Sequence, residues 1–197
     1  ACGDDKSSAA EEDGKAAQAA PSVTAPATED GLSGAIRSVI EDLRAGNDER
    51  VGEALRGLAL TNAAEFFGAH FPEDIAARLT ESYAEQAKHV DEIGDLLRRQ
   101  LDKGRDQVVV EKFDGQEDPR AVGYQNLALK QMTDRIPLYS VRITAQGEDT
   151  GFHIWSFVHD GERFRWIGKL KAVKPGLKGK KDRMLELRLE HARNAED

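Results

Sequence analysis

Gly151–Leu170, GFHIWSFVHDGERFRWIGKL, is the stretch that decides the architecture. Asp160-Gly161 sits between two aromatic-rich runs, and such a pair supplies the positive φ angles of a tight turn whose twist matches its flanking strands. Phe152–His159 and Arg163–Lys171 therefore read as two antiparallel strands. In the second, Phe164, Trp166, Gly168 and Leu170 share one face, while Arg163, Arg165, Lys169 and Lys171 take the other with Ile167 between them. In the first, Phe152, Ile154 and Val158 fall on one face and Trp155 and Phe157 on the other. A strand apolar on both faces is expected to be central and covered on both sides.

Outward from this hairpin, Pro137 fits the entrance of a further strand, Leu138–Ala145, in which Tyr139, Val141 and Ile143 alternate with polar residues. Val108–Val110 is a β-branched run closed by the turn-rich stretch Asp114–Pro119. Between these strands a short helix is expected around Ala121–Met132, weakened by Gly123. The first half is helical. Ile36, Val39, Ile40 and Leu43 recur at helical spacing before Gly46, and Val51, Leu55 and Leu58 follow a cap at Asn47 or Asp48. Ala63–Phe71 reads as an aromatic-rich link. Pro72 then suits the first turn of a helix carrying Ile75, Leu79 and Tyr83, and Asp91 opens another with Ile93, Leu96, Leu97 and Leu101, closed by Gly104. Four helices thus precede the sheet. The expected class is α+β, with N-terminal helices packed on a curled antiparallel sheet.

The block Gly151–Leu170, with its aromatic strand, Asp160-Gly161 turn and Arg165-Trp166 leading to Gly168-Lys169-Leu170, resembles the nuclear transport factor two-like, or cystatin-like, fold. It is also similar to uncharacterised bacterial lipoproteins with comparable Trp and Gly-Lys-Leu strands. The first resemblance implies a cone-shaped domain with a pocket between helices and sheet, dimerisation through the sheet, and either an isomerase or dehydratase activity or a non-catalytic binding role. Fold alone does not choose between them.

Charge and composition vary along the 197 residues, whose formal net charge is −8. Residues 3–31 are rich in Ala, Ser, Asp, Glu and Pro, with Val23 the one large aliphatic side chain, too little to offset the entropy of ordering. As a coil this stretch would span roughly 30 Å. Bases gather near the other end, from Arg163 to Arg183. The organisation expected is a tether over 1–31, one domain over 32–173, and a basic linker with a C-terminal helix over 174–197, where Leu185, Leu189 and Ala192 share a face. Ala1-Cys2-Gly3 ahead of the polar stretch resembles the processed start of a bacterial lipoprotein. That resemblance implies a lipid on Cys2 and a membrane address. Gly3, where an aspartate would signal inner-membrane retention, points to the outer membrane. Cys2 is the chain's only cysteine, so no internal disulfide forms.

Motifs for catalysis are sparse. His153 and His159 on one strand face lie about 20 Å apart and cannot share a metal ion, and His70 and His89 lack zinc-ligand spacing. No Gly-rich phosphate loop or GxSxG elbow is present, and no cofactor is expected. An acid/base site would draw on Tyr83, His89, Asp91, Tyr124, Tyr139 or Trp155. The pocket candidates are Tyr83, Tyr124, Tyr139, Trp155 and Trp166. Arg163, Arg165, Lys169 and Lys171 form a candidate basic surface, continued by Lys174, Lys178, Lys180 and Lys181, that suits an acidic partner or anionic head groups better than nucleic acid. The function expected is a binding or interaction module for a small apolar ligand or an envelope protein, dimeric through its sheet. An isomerase or dehydratase in the same scaffold is the alternative.

Overall fold

The computed structural model describes residues 25–115 and 117–174. Cys2, the tether up to residue 24, the lysines beyond Lys174 and the expected C-terminal helix lie outside the described residues.

Helix α1, Glu29–Ala45, buries Leu32, Ile36, Val39, Ile40 and Leu43 on one stripe. It starts two turns ahead of Ile36 because Thr28 supplies the cap: its hydroxyl accepts the Gly31 N–H at 3.1 Å, and Glu29 and Asp30 lie at the positive end of the helix dipole. Gly46, at φ 73, ends it in the left-handed conformation. Residues 25–28, read as tether from their composition, lie against the sheet, where the Tyr139 hydroxyl donates to the Ala27 carbonyl at 2.9 Å and His159 Nε2 donates to that of Ala25 at 2.8 Å.

Four more helices follow, α2 (Asp48–Leu58), α3 (Ala63–His70), α4 (Glu73–Ala87) and α5 (Glu92–Leu101). Five helices, not four, therefore precede the sheet, because Ala63–His70 is helical rather than a link. Its aromatics pair at helical spacing, with Phe66 and His70 rings 4.8 Å apart, and Phe67 is fully buried. Burying a side chain such as Phe67 or Leu97 contributes about 1.5–3 kcal/mol. The rings of Phe67, Tyr83 and Trp166 pack in sequence, 6.1 and 6.0 Å between centroids, joining α3 and α4 to the sheet.

The sheet has four antiparallel strands in order β1 (Gln107–Phe113), β2 (Leu138–Thr144), β3 (Gly151–His159) and β4 (Phe164–Trp166), with α6 (Gly123–Gln131) between β1 and β2. The class is α+β, as read from the sequence. Both edges are blunted: Glu29 accepts the Lys112 N–H of β1 at 3.0 Å, and Ala59 bridges Trp166 of β4.

Two strands depart from their expected form. The last strand ends at Trp166 rather than Lys171. Gly168 adopts φ 74 and turns the chain away into a 3-10 turn, Lys171–Val173. In β3 the register slips: Phe157 pairs with Tyr139 but Ile154 pairs with Val141, so Trp155 and Ser156 together oppose Ser140. Ser156 is the bulged residue, at φ 60, a left-handed conformation unusual for a side chain other than glycine. The extra residue inverts the alternation. Phe157 joins Phe152 and Ile154 on the face of Tyr139, Val158 moves to the opposite face, and His153 and His159 end on opposite faces rather than one.

Candidate functional site

The site begins with two side chains of α4. Gln86 accepts the Lys169 N–H at 2.7 Å and donates back to the Lys169 carbonyl at 3.2 Å, while Arg78 Nε donates to the Ala172 carbonyl at 3.1 Å. The chain after β4 is thereby fixed to the helix. The positive φ calls for glycine at 168, and a Cβ there would lie 2.8 Å from Gln86 Oε1 and push that carboxamide off the Lys169 peptide. This places Lys169, Leu170 and Lys171 beside the β3 bulge.

The bulge supplies the second wall. Trp155 projects from the face of His153, whose ring lies nearly parallel to the indole at 4.5 Å. The third wall is the start of α6, where Gly123 turns the chain at φ 60 and presents Tyr124 and Gln125. Together Val122, Gly123, Tyr124, Gln125, Trp155, Ser156, Lys169, Leu170 and Lys171 enclose about 310 Å³. A larger concavity of about 520 Å³ by α3 and α4 is lined by Ala64, Gly68, Ala76 and Ala77 with Glu73, Thr80 and Glu81, and its walls hold no aromatic ring to orient a ligand.

Polar groups at the smaller pocket are unevenly satisfied. Gln125 is 3% exposed, and neither its amide nitrogen nor its oxygen has a hydrogen-bond partner among the described residues. Lys174 Nζ lies 5.9 Å from the centre of the Tyr124 ring. Among the described residues, no carboxylate or imidazole lines the pocket. His153 stands behind Trp155, and its pKa is lowered by burial and then by the Arg142 charge, which favours the neutral ring. Arg142 approaches Glu111 at 3.8 Å across the sheet. No group of three or more His, Cys, Asp or Glu residues able to hold a metal ion occurs among the described residues, nor does any helix long and apolar enough to cross a membrane.

The structure brings together Tyr124, Trp155, Lys169 and Lys171 from the sequence candidates and places the others elsewhere. Tyr83, Tyr139 and Trp166 are core residues. The Tyr83 hydroxyl accepts the Leu60 N–H at 2.6 Å, and burial pushes both the Tyr83 and Tyr139 phenols up. Arg165 is a structural clamp. It donates to Asp160 at 2.6 Å and to the carbonyls of Gly57 and Ala59, tying β4 to the end of α2. Burial of Asp160 works against ionisation, yet hydrogen bonds from Arg165 and from the Arg163 and Glu162 amides hold its pKa down to about 2. Arg163 has Glu162 as its ion-pair partner at 3.8 Å. The four bases therefore do not form one stripe. Asp91 pairs with Arg56 at 3.5 Å, and His89 with Glu92 at 2.7 Å, both on exposed helix surface.

Gln125, Ser156 and Gln86 fall outside the sequence candidates. Gln125 had a signal: with Ala128 and Leu129 it occupies the i, i+3, i+4 stripe that α6 buries, where a glutamine is out of place. Ser156, polar within an otherwise apolar strand, was a fainter one. Comparison with protein-family models, with curated proteins and with solved structures gives no match.

Proposed function

We propose that this protein is a non-catalytic binding module of the bacterial cell envelope, held through a lipid on Cys2, that carries a small molecule in the pocket walled by Tyr124 and Trp155. The observation that carries the binding reading is the composition of that pocket. Two aromatic rings and a buried, unpartnered carboxamide line it, features that orient and retain a ligand. An isomerase or dehydratase would draw on a base facing the occupant, and among the described residues the lining offers neither carboxylate nor imidazole. The envelope address is supported by sequence alone: the single cysteine stands ahead of a long polar stretch, and Gly3 favours the outer membrane. Helices followed by an antiparallel meander support a cone-shaped domain of the nuclear transport factor two-like kind.

Native mass spectrometry tests both parts. The full protein, produced from its complete gene and extracted gently in detergent, should carry acyl mass on the Cys2 peptide and a non-covalent passenger that Trp155→Ala loses. An unmodified Cys2 would remove the envelope address. A passenger retained by Trp155→Ala would place binding elsewhere.

A further inference from the structure

We infer, resting on the binding reading above, that the occupant is a flat aromatic anion whose ring edge carries a hydrogen-bond donor or acceptor. Size sets the first limit. About 310 Å³ lies at the lower end of ligand pockets, roughly 300–1,000 Å³, and suits one or two fused rings with a short arm. Uncovered apolar surface points to the same place. Val122 and Tyr124 are the exposed large hydrophobic residues among those described, and both line this pocket. With Trp155 opposite the start of α6, they favour a ring over a flexible chain.

Charge decides the sign of the ligand. The chain is net acidic at −8, yet Lys169 and Lys171 line the pocket, Lys174 stands by Tyr124, and no carboxylate among the described residues pairs with Lys169 or Lys171. Their placement is built rather than incidental, because Gln86 and the left-handed Gly168 fix the backbone that carries them. An anion here meets positive charge without competition from a neighbouring acid. Gln125 specifies the ring edge. Its carboxamide, buried just behind the pocket wall, holds one donor group and one acceptor, both unspent, so an occupant with a complementary N–H or O–H recovers those hydrogen bonds once the side chain turns toward it. Ser156 adds a further mark. Its left-handed backbone stays in place at the bulge that forms the pocket wall, and strain of this kind gathers at ligand sites.

Calorimetric titration of the full protein with four probes tests this: indole-3-acetate, its N-methyl derivative, tryptamine and cyclohexylacetate. Indole-3-acetate should bind best, with tryptamine and cyclohexylacetate each about tenfold weaker or more, a gap that one charged or stacking contact supports. Replacing both exposed lysines, Lys169→Ala with Lys171→Ala, should weaken indole-3-acetate about threefold to tenfold and flatten its salt dependence. Gln125→Leu should erase the preference for indole-3-acetate over the N-methyl compound. Tryptamine binding as tightly as indole-3-acetate, or the double lysine variant binding unchanged, would overturn the anion while leaving a binding pocket. Failure of all four probes would take the binding reading down with it.

Discussion

Gln125→Leu should make the protein more stable while impairing its pocket. Gln125 is 3% exposed and its amide nitrogen and oxygen are both unpartnered, so folding strips water from each without replacement. Each of the two polar groups left in this state costs about 1–3 kcal/mol. Leucine has similar reach and equal helix propensity, and it matches the buried Ala128 and Leu129 on the same stripe of α6. Part of the gain is lost to imperfect fit, which leaves a net stabilisation of about 1–3 kcal/mol. For a domain of this size that corresponds to a Tm rise of about 2–10 °C. Urea denaturation followed by the fluorescence of Trp155 and Trp166 reads it directly: the midpoint should rise at unchanged slope. A lower midpoint would show that the carboxamide is satisfied in the folded protein, and the case for Gln125 as a group awaiting a ligand would fall.

Acid should unfold the protein partly through Asp160. Its folded pKa of about 2 lies below the ordinary carboxyl value of 3.8, so its contribution is complete above about pH 4 and is lost as pH falls through about 2. With solvent screening at this largely accessible group the contribution is roughly 1 kcal/mol. Asp160→Asn keeps an oxygen for the Arg163 and Glu162 amides but removes the charge facing Arg165. Its stability deficit in pH-dependent melts should be full at pH 7 and mostly gone by about pH 2, and an equal deficit at both would refute the assignment. Gly168→Ala forces a side chain into φ 74 against Gln86 and should cost about 1–3 kcal/mol. It should also release the Lys169 peptide and weaken indole-3-acetate binding several-fold. Parent-like melting and titration would show that the Gln86 contact does not position the lysines.

Local signals made much of the fold legible. The stripe Ile36, Val39, Ile40 and Leu43 is buried as its spacing requires, and Asp160-Gly161 does join β3 to β4. What the sequence concealed depends on partners far along the chain or on a single backbone angle. Gln86 captures the peptide of Lys169, 83 positions away, and nothing in the sequence near Gly168 announces that contact. Ser156 reverses the alternation of β3 through one left-handed residue of a type that does not advertise it. For the site, residue type was informative and position was not. Aromatics at apolar spacing look alike whether they fill a core or face a cavity, so in the sequence Tyr83 and Trp166 are indistinguishable from Tyr124 and Trp155. Ala63–His70 is short and carries two phenylalanines and Gly68 among its helix formers, so its local propensity is weak. Burial of Phe67 against Tyr83 and Phe71 supplies what local propensity did not.

The docking of residues 25–28 has a mechanical side. His159 accepts the Gly161 N–H at Nδ1, so Nε2 carries the proton donated to the Ala25 carbonyl. That bond and the one from Tyr139 to Ala27 fasten the incoming chain to β3 and β2, the two inner strands. Tension arriving along the polypeptide ahead of Ala25 therefore reaches the middle of the sheet before it reaches α1. The helix is shielded from unwinding from its capped end, and two side chains set the angle at which residues 25–28 lead into it.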